Sequence, residues 1–477
     1  MRKLFGTDGI RGVAGDFPLD AGTISIIGQA LGHQLAKKEK QPRVVIGQDT
    51  RESSAWIADT VAAGLASRGV QVESAGVVTT PAVAYLARSR KLSAGVVVSA
   101  SHNPWTDNGI KVFGGDGYKL PDALEMEIER EIFQLLEKMK AAADPPPPPA
   151  VTLPGSEELR RAYDDWLATT IAPPKVEALR IVVDCANGAA CTVAPPLFRA
   201  LGLNAEFLYT LPDGKNINDN CGALHPEVVA RAVLEKKADL GITFDGDADR
   251  ALFSDAQGNV VNGDAVLLLT ARDMKARGTL AGDTVVATTM SNMGLEAALQ
   301  RSGIRMLRAP VGDKYVLEEM RKCGAKLGGE QSGHILFADQ ATTGDGLLTA
   351  LRVLDVMARS GKPLAELTAD LQVFPQTIKN VRVREKRPLA ELVADLKVFP
   401  QVIKNVRVRE KSPLQKIPEI ARAIGEAERL LDGNGRVVVR YSGTEPLARV
   451  MVEAESEADM RQHAEAIATA IQKALGA

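Results

Sequence analysis

The sequence predicts an α/β protein of three similar α/β units around a central cleft, followed by a C-terminal α+β unit. Strand and helix patterns alternate over most of the chain, which indicates mixed, mainly parallel sheets. The length of 477 residues is enough for three or four domains. In the final part, two neighbouring strand patterns lie between two helical ones, which is typical of an α+β domain.

The first two predicted domains are residues 1–150 and 151–256. Strands are expected at 43–47, 70–78, 94–98, 180–184 and 239–244, and helices at 54–68, 81–89, 193–201 and 226–237. Five consecutive prolines at 145–149 lie near the boundary, where they favour either an extended spacer or a surface loop.

The third and fourth predicted domains are residues 257–372 and 373–477. In the third domain we expect a strand at 284–287 and helices at 293–302, 314–323 and 346–360. In the fourth we expect strands at 436–440 and 448–453, and helices at 418–431 and 458–475.

A tandem duplication, residues 362–411, lies at the junction of these two domains. Its copies, 362–386 and 387–411, differ at only four positions, and each reads as part of a helix plus a strand. Two copies are too few for a solenoid. One copy is enough to complete the last domain, and the spare strand could extend the sheet, loop out or expose an edge.

Composition excludes several classes of protein. Lys plus Arg is 58 and Asp plus Glu is 60, so the net charge is −2, which argues against general binding to nucleic acid or an anionic membrane. The N-terminus lacks the apolar core of a signal peptide, and no apolar run is long enough to span a bilayer. The four cysteines suggest no disulfide framework. A cytoplasmic enzyme is expected.

The loop that follows the apolar strand 94–98 contains the first candidate for chemistry. Its residues, Ser99-Ala100-Ser101-His102-Asn103-Pro104, are small or polar and end in proline. Open α/β sheets bind ligands beyond the carboxyl ends of their strands. Ser101 is therefore a candidate nucleophile, with an ordinary strand-to-loop turn as the alternative.

An acidic loop follows the strand 239–244. Asp245, Asp247 and Asp249 alternate along it, so in an extended segment their side chains point the same way. Oxygen-only ligands suit Mg²⁺. An EF-hand fails on spacing, because Arg250 and Ala256 stand where that motif needs glycine and glutamate. The remaining alternative is a solvated acidic turn.

Two further loops suggest sugar and phosphate recognition. Glu330, Ser332 and His334 alternate in a glycine-rich loop that could read sugar hydroxyls, or could be a plain polar turn. In the loop after strand 436–440, backbone N–H groups can form an anion nest and two arginines can clamp phosphate, with a hairpin-like turn and solvated arginines as the alternative. Its residues are Arg440, Ser442, Gly443, Thr444 and the nearby Arg449.

Two basic residues of the first domain complete the set. Arg11 lies in a polar loop near the N-terminus, and Lys111 follows Ser101 by ten residues. A lysine near a phosphoryl group can clamp charge or act as an acid–base catalyst. Most lysines are merely solvated. Together, the serine, the acidic cluster and the two loops predict phosphoryl transfer on a phosphorylated sugar.

Four of these motifs, in this order, resemble the α-D-phosphohexomutase superfamily over nearly the whole chain. They are 99–104, 245–250, 329–334 and 440–445. Within the superfamily, the loops at 5–12, 330–334 and 442–446 are most similar to those of the bacterial enzymes that act on glucosamine phosphates. The resemblance implies a four-domain enzyme that interconverts glucosamine 6-phosphate and glucosamine 1-phosphate for UDP-N-acetylglucosamine and cell-wall precursor synthesis.

The resemblance also implies roles for the candidate residues. Ser101 would carry the phosphate, and Mg²⁺ would be bound by Asp245, Asp247, Asp249 and that phosphate. Arg11 and Arg250 would support the transferring group, with Lys111 and His334 as acid–base candidates. Glu330 and Ser332 would bind sugar hydroxyls. The non-reacting phosphate would be held by Arg440, Ser442, Gly443, Thr444 and Arg449.

A sugar 1,6-bisphosphate is the expected activator, because it would restore a lost serine phosphate. A homodimer is one option for the assembly, which the sequence leaves open. Three rival functions also remain open: a phosphoglucomutase or phosphomannomutase, a Mg²⁺-dependent phosphatase with an aspartyl nucleophile, and a phosphosugar-binding protein that the duplication has made inactive.

Overall fold

The computed structural model describes residues 4–6, 8–141, 153, 155–171, 179–379, 381–382, 405–409, 412–431, 435–442, 447–454 and 457–476. The chain divides into two compact units. One comprises Met1–Met290 and Leu299–Asp370, and the other comprises Ser291–Ala298 and Leu371–Ala477. The proline run at 145–149 lies outside the described residues. Within the described part of the chain, every helix is too short or too polar to cross a bilayer.

The first sheet has the order β1-β2-β6-β5-β3-β4. Its segment of the chain contains β1 Phe5–Gly6, β2 Gly9–Val13, α1 Ala21–Ala36, β3 Arg43–Gln48, α2 Ser54–Ala66, β4 Gln71–Val77, α3 Thr80–Ser89, β5 Ala94–Val98, β6 Asp107–Gly114 and α4 Asp122–Ala141. Strand β3 pairs in parallel with both β4 and β5. Strand β5 is fully buried.

The second sheet has the order β11-β10-β9-β7-β8. This segment contains α5 Glu157–Thr169, β7 Ile181–Asp184, α6 Ala190–Ala200, β8 Ala205–Leu208, α7 Pro226–Lys236, β9 Leu240–Phe244, β10 Ala251–Asp255 and β11 Val260–Val261. Strands β7 and β9 are parallel, and every residue of both is buried. Continuous apolar strands of this kind belong at the centre of a covered sheet.

The third sheet has the order β13-β12-β14-β15. Here the chain forms α8 Gly263–Ala276, β12 Thr284–Thr288, α9 Met293–Arg301, β13 Arg305–Ala309, α10 Asp313–Cys323, β14 Leu327–Gly329, β15 Ile335–Phe337, α11 Gly346–Ser360 and α12 Leu364–Thr368. Strand β12 pairs in parallel with β13 and β14, and β15 closes a hairpin with β14.

The fourth sheet is built around a long central strand, β20, whose pairings with β16, β17, β18 and β19 are all antiparallel, whereas β17 and β18 pair in parallel. This part of the chain contains β16 Gln376–Lys379, β17 Val381–Arg382, β18 Asn405–Arg407, α13 Pro418–Leu431, β19 Gly435–Tyr441, β20 Leu447–Ala454 and α14 Glu457–Leu475. Strand β19 pairs with β20 along its whole length. Two helices and one sheet make this an α+β unit, as the sequence predicts.

The predicted fold class is confirmed, with one refinement of the sheets. All three α/β sheets are mixed, but in the first sheet only two of the five pairings are parallel. Strand β6 returns antiparallel to β5, because the loop between Val98 and Asp107 is too short for a crossover helix. The predicted helix at 346–360 coincides with α11, and the predicted strand at 94–98 coincides with β5.

Both copies of the duplication pair with β20. From the first copy, β16 pairs antiparallel with β20 and ends at Lys379 opposite Val450. From the second copy, β18 continues with Asn405 opposite Arg449. Because β19 occupies the other edge of β20, the two segments follow one another along the same edge. The offset between them is 25 residues, the repeat length, so both copies share one register.

This arrangement predicts that one copy can be deleted without loss of the fold. Removing residues 380–404 joins Lys379 directly to Asn405 and leaves one continuous strand of unchanged register. The chain no longer has to close a 25-residue connection between neighbouring positions, although the deletion also removes β17, which pairs with β18 and, at Arg382, with β20. We therefore expect the free energy of unfolding of this unit to rise by up to about 3 kcal/mol. Urea unfolding of the purified protein measures the change.

A deletion of residues 380–403 is the matched control. It leaves one extra residue, which shifts the register by one and turns each following side chain to the opposite face. The buried Val406 and Val408 would then exchange with the exposed Arg407 and Arg409. We expect this control to unfold at lower urea than the wild type. Equal stability of the two deletions would contradict the shared register.

Candidate active site

The candidate nucleophile lies directly beside the acidic cluster. Ser101 is 1% exposed, and its Oγ donates a hydrogen bond of 2.5 Å to Asp245 Oδ2. Its backbone is in the left-handed region, with φ of 53°. A side chain at Gly246 would meet the carbonyl oxygen of Ser101 at 2.6 Å, so the absence of a side chain lets the two loops approach.

The three aspartates converge, as their spacing predicts. They follow β9, they are buried, and one carboxylate oxygen from each lies within 4.8 Å of the others. Burial raises the pKa of Asp245, and so do the carboxylates of Asp249 and Asp247. Asp247 Oδ1 and Asp249 Oδ1 are buried without a hydrogen-bond partner among the described residues. Such a cluster is suited to a hard cation.

Lys111 extends from β6 into the same cluster. Its Nζ lies 2.8 Å from Asp247 Oδ2, 2.9 Å from Asp8 Oδ2 and 3.6 Å from Asp249 Oδ2. Burial alone would lower the pKa of Lys111, but these carboxylates outweigh burial and raise it above the ordinary value. Lys111 is therefore a buried cation in this arrangement.

His334 faces the cluster from the third sheet. Its Nδ1 lies 3.5 Å from Asp249 Oδ1, and its Nε2 accepts a hydrogen bond of 3.1 Å from the backbone N–H of Gly344. Burial lowers the pKa of His334, but Asp249 and Asp313 raise it to about 9. The bond from Gly344 requires a lone pair on Nε2, so the proton of the neutral ring lies on Nδ1, towards Asp249.

These groups belong to a closed ring of alternating charge, built from all three sheets. Lys119 Nζ joins Asp8, at 2.6 Å, to Asp313, at 2.7 Å. His334 Nε2 lies 3.6 Å from Asp313 Oδ2. In order, the ring is Asp249, Lys111, Asp8, Lys119, Asp313 and His334. Acidic and basic side chains alternate around the ring, and when His334 is protonated each charge lies between two of opposite sign, which offsets the cost of burial.

Both predicted arginines of the first unit are part of the site. Arg11 forms an ion pair with Asp8, and its Nη1 donates to Asn103 Oδ1 at 3.4 Å. Arg250 Nε lies 3.8 Å from Asp249 Oδ1. The Nε atoms of both arginines are buried without a hydrogen-bond partner in the described part of the chain. Two guanidinium donors are thus available near Ser101 and the aspartates.

Glu330 and Ser332 lie on the hairpin between β14 and β15. Glu330 Oε1 accepts a hydrogen bond of 3.1 Å from the backbone N–H of Gly312, and Ser332 Oγ donates to Glu330 Oε2 at 3.3 Å. The backbone N–H of Ala251 donates to the carbonyl of Gly333 at 3.1 Å, which ties this hairpin to the strand after the acidic loop. Both side chains are partly exposed.

The predicted phosphate loop belongs to the second unit, and it is described only in part. Arg440 and Arg449 stand opposite each other on β19 and β20. Burial lowers the pKa of Arg440 to about 10, and the charge of Arg449 contributes. Arg440 Nη2 is buried without a hydrogen-bond partner among the described residues. Ser442 is buried, whereas Gly443 and Thr444 lie outside the described residues.

Several polar residues of the site were not predicted. Asp8 lies in the same polar loop as Arg11, which is a predicted site residue. This neighbourhood is a sequence signal that could have identified Asp8. Lys119 and Asp313 carry no comparable local signal.

Thr80 is a further residue of the site that the sequence does not predict. Its Oγ1 donates to Asp247 Oδ2 at 2.5 Å, and its backbone N–H donates to the Asp247 carbonyl at 3.0 Å.

Profiles of one family match most of the chain. They describe phosphoglucomutase/phosphomannomutase alpha/beta/alpha domains I, II and III and the C-terminal domain, and they match residues 2–139, 163–258, 262–374 and 403–470. The chain belongs to the phosphoglucomutase/phosphomannomutase family. This confirms the predicted superfamily.

Among the relatives in this family are two named phosphoglucosamine mutase. The protein from Koribacter versatilis is 61% identical, and the match covers 100% of this chain and 98% of that protein. The protein from Solibacter usitatus is 50% identical, with 100% and 99% covered.

Solved structures of the family have the same fold. A phosphoglucomutase/phosphomannomutase family protein from Burkholderia thailandensis has a TM-score of 0.75 at 25% identity, covering 99% of this chain and 98% of that one. Aspergillus fumigatus N-acetylphosphoglucosamine mutase, solved with GlcNAc-6P and magnesium, has a TM-score of 0.64 at 18% identity, covering 99% and 96%. At that identity the second likeness concerns the fold alone.

Proposed function

We propose that this chain is a phosphoglucosamine mutase, which interconverts glucosamine 6-phosphate and glucosamine 1-phosphate through a phosphoserine. The observation that carries the proposal is the position of Ser101, whose Oγ is 2.5 Å from Asp245 within a cluster of three buried aspartates. The names of the relatives support glucosamine phosphate as the substrate.

The two phosphoryl transfers of this reaction involve only the sugar phosphate and phosphorylated Ser101, and they consume no other reactant. The free hydroxyl of the sugar attacks the phosphorus of phosphoserine and gives up its proton to a general base, the P–Oγ bond breaks, Ser101 Oγ takes up a proton, and a bisphosphorylated sugar forms. The intermediate turns around, and its other phosphate returns to Ser101. A sugar 1,6-bisphosphate would rephosphorylate a free Ser101. Catalysis of this kind depends mainly on positioning and on neutralising charge.

Magnesium fits this site. The donor set contains only oxygen, and two of the buried carboxylate oxygens lack a hydrogen-bond partner within the described residues. Asp245, Asp247, Asp249 and the phosphate on Ser101 would hold the ion. When bound, Mg²⁺ would neutralise charge on the transferring phosphoryl group.

The remaining predicted residues have compatible surroundings. Arg11 and Arg250 would bind oxygens of the transferring group through their Nε atoms, which lack hydrogen-bond partners within the described ranges of the chain. The raised pKa of Lys111 favours a fixed positive charge that binds an oxyanion. The raised pKa of His334 favours the protonated ring, which would donate a proton, whereas the neutral ring, with a lone pair on Nε2, would accept one. Glu330 and Ser332 would bind the hydroxyl groups of the sugar.

The second unit would bind the phosphate that does not react. Arg440 and Arg449 face each other across a strand pair, and an anion bound between them would relieve their mutual repulsion. We propose Arg440, Ser442, Gly443, Thr444 and Arg449 for this role. Arg440 Nη2, which has no hydrogen-bond partner among the residues that the structure describes, supports the proposal.

A comparison of substrates tests the proposed function. With Mg²⁺ and a sugar 1,6-bisphosphate, we expect kcat/KM for glucosamine 6-phosphate to exceed the values for glucose and mannose 6-phosphate by at least about 10-fold. Intact-mass and peptide analysis should find one phosphate, on Ser101. A preference for glucose or mannose would favour the other family activities. Release of inorganic phosphate would favour a phosphatase, and binding without product would favour an inactive binding protein.

A further inference from the structure

A buried ion pair lies beneath the serine loop. Asp49 and Arg51 follow β3, and the side chain of neither residue is exposed. Strand β3 pairs in parallel with β5, with Gln48 opposite Val98, and the backbone N–H of Asp49 donates to the carbonyl of Val98 at 3.1 Å. The pair therefore lies beside the loop in which the chain turns from Val98 to Ser101.

Both backbone polar groups of Ser101 contact this pair, directly or through one hydroxyl, and the Ser101 carbonyl also accepts a hydrogen bond of 3.0 Å from Asn218 Nδ2. Arg51 Nη2 donates to the carbonyl of Ser101 at 3.0 Å and to that of Asn103 at 2.6 Å. The backbone N–H of Ser101 donates to Ser99 Oγ at 2.9 Å, and that hydroxyl donates to Asp49 Oδ2 at 2.6 Å. Arg51 therefore binds the Ser101 carbonyl directly, whereas Asp49 is linked to the Ser101 N–H through the hydroxyl of Ser99.

Asp49 is itself held by several donors. Its Oδ1 accepts hydrogen bonds from Ser54 Oγ at 2.6 Å and from the Arg51 backbone N–H at 3.0 Å. Asn108 Nδ2 donates to Ser54 Oγ at 3.0 Å. The guanidinium of Arg51 completes the ion pair. A carboxylate with this many partners has little freedom to move, so the groups bound to it are positioned accurately.

Ser101 requires such support because its backbone conformation is unfavourable. A non-glycine residue with φ of 53° is strained, and it persists only where surrounding contacts impose it. The loop must also keep the Oγ aimed at Asp245 while a doubly charged group is gained and lost. The Asp49–Arg51 ion pair contacts only the backbone of Ser101. The side-chain Oγ of Ser101 contacts Asp245 and His102 instead.

We infer that Asp49 and Arg51 are positioning residues that hold the backbone of Ser101 in the conformation required for phosphoryl transfer. This inference rests on the proposed function. Arg51 acts through its planar fork, because two donors on one nitrogen reach two carbonyl oxygens while another nitrogen reaches Asp49. Lysine would retain the charge but lose this geometry.

The test compares Arg51→Lys, Arg51→Ala and Ser99→Ala with the wild type, and the exposed Arg199→Lys is the matched control. Phosphorylated protein is mixed with glucosamine 6-phosphate, and the single-turnover rate of transfer is measured together with kcat and KM. A loop displaced by about 1 Å should lower kcat and the transfer rate about 100-fold. We expect this loss in both Arg51 variants with KM changed less than about 3-fold, and a smaller loss in Ser99→Ala.

Rescue of the transfer rate by added guanidinium ion distinguishes a positioning role of Arg51 from a purely structural one. At concentrations below those that unfold the protein, it should restore part of the transfer rate of Arg51→Ala and none of that of Ser99→Ala. If the Arg51 variants do not fold, a lower transfer rate in Ser99→Ala at unchanged KM supports the inference. Folded variants with the wild-type rate overturn it. A wild type that neither carries phosphate nor isomerises glucosamine phosphate would instead overturn the proposed function.

Discussion

Replacing Ser101 with alanine is expected to lower kcat by at least about 10⁴-fold, because the residue that would carry the phosphate is removed. The variant should also contain no phosphate by intact mass. Its Tm should stay close to that of the wild type, since the change removes one hydroxyl and its hydrogen bond to Asp245. Measurements of kcat at saturating glucosamine 6-phosphate, Mg²⁺ and sugar 1,6-bisphosphate test this.

The matched control is Ser67→Ala, which removes an exposed hydroxyl at the end of α2. It should retain wild-type kcat and phosphate content. Full activity in Ser101→Ala would show that Ser101 is not the carrier. That result would favour an aspartyl nucleophile in the acidic loop, the rival that requires no serine.

Asp247→Asn is expected to reduce both magnesium binding and activity, the latter by about 10²–10³-fold. Amide and carboxylate have nearly the same shape, so the variant isolates the effect of charge. Asp247 has one oxygen without a hydrogen-bond partner in the described part of the chain, and its other oxygen lies 2.8 Å from Lys111 Nζ. Calorimetric titration with Mg²⁺ measures the affinity independently of turnover.

Raising the Mg²⁺ concentration should restore part of the activity of Asp247→Asn, because its two neighbouring aspartates remain. The exposed Asp219→Asn is the control, with unchanged Mg²⁺ affinity and kcat expected. If Asp247→Asn bound Mg²⁺ as tightly as the wild type, the triad would not be the metal site. An activity that survives removal of all divalent cations would contradict the role of the metal.

Local sequence was enough to identify the chemical groups that are close in the chain. The three aspartates follow one apolar strand at alternating positions, so their convergence required only the geometry of an extended segment. Ser101 is predicted by a similar short-range pattern, because it lies in the loop just beyond the end of a strand. Both are short-range patterns, and the structure places them within hydrogen-bond distance of each other.

Residues that act through long-range contacts could not be found in this way. Arg51 lies 50 positions before Ser101, and it reaches the serine loop only because β3 and β5 are parallel neighbours. Lys119 and Asp313 come together from different sheets. A lone arginine, lysine or aspartate in a sequence is most often solvated, so its type and local context do not indicate a buried partner.

Periodicity and loop composition act over a few residues, so the sequence alone predicts the fold class, the pattern of elements and the acidic and serine loops as candidate sites. The ring of six ionisable side chains and the shared edge of β20 are visible only in three dimensions. Strand order and register bring together residues that are far apart in the chain, and neither can be read from a local pattern.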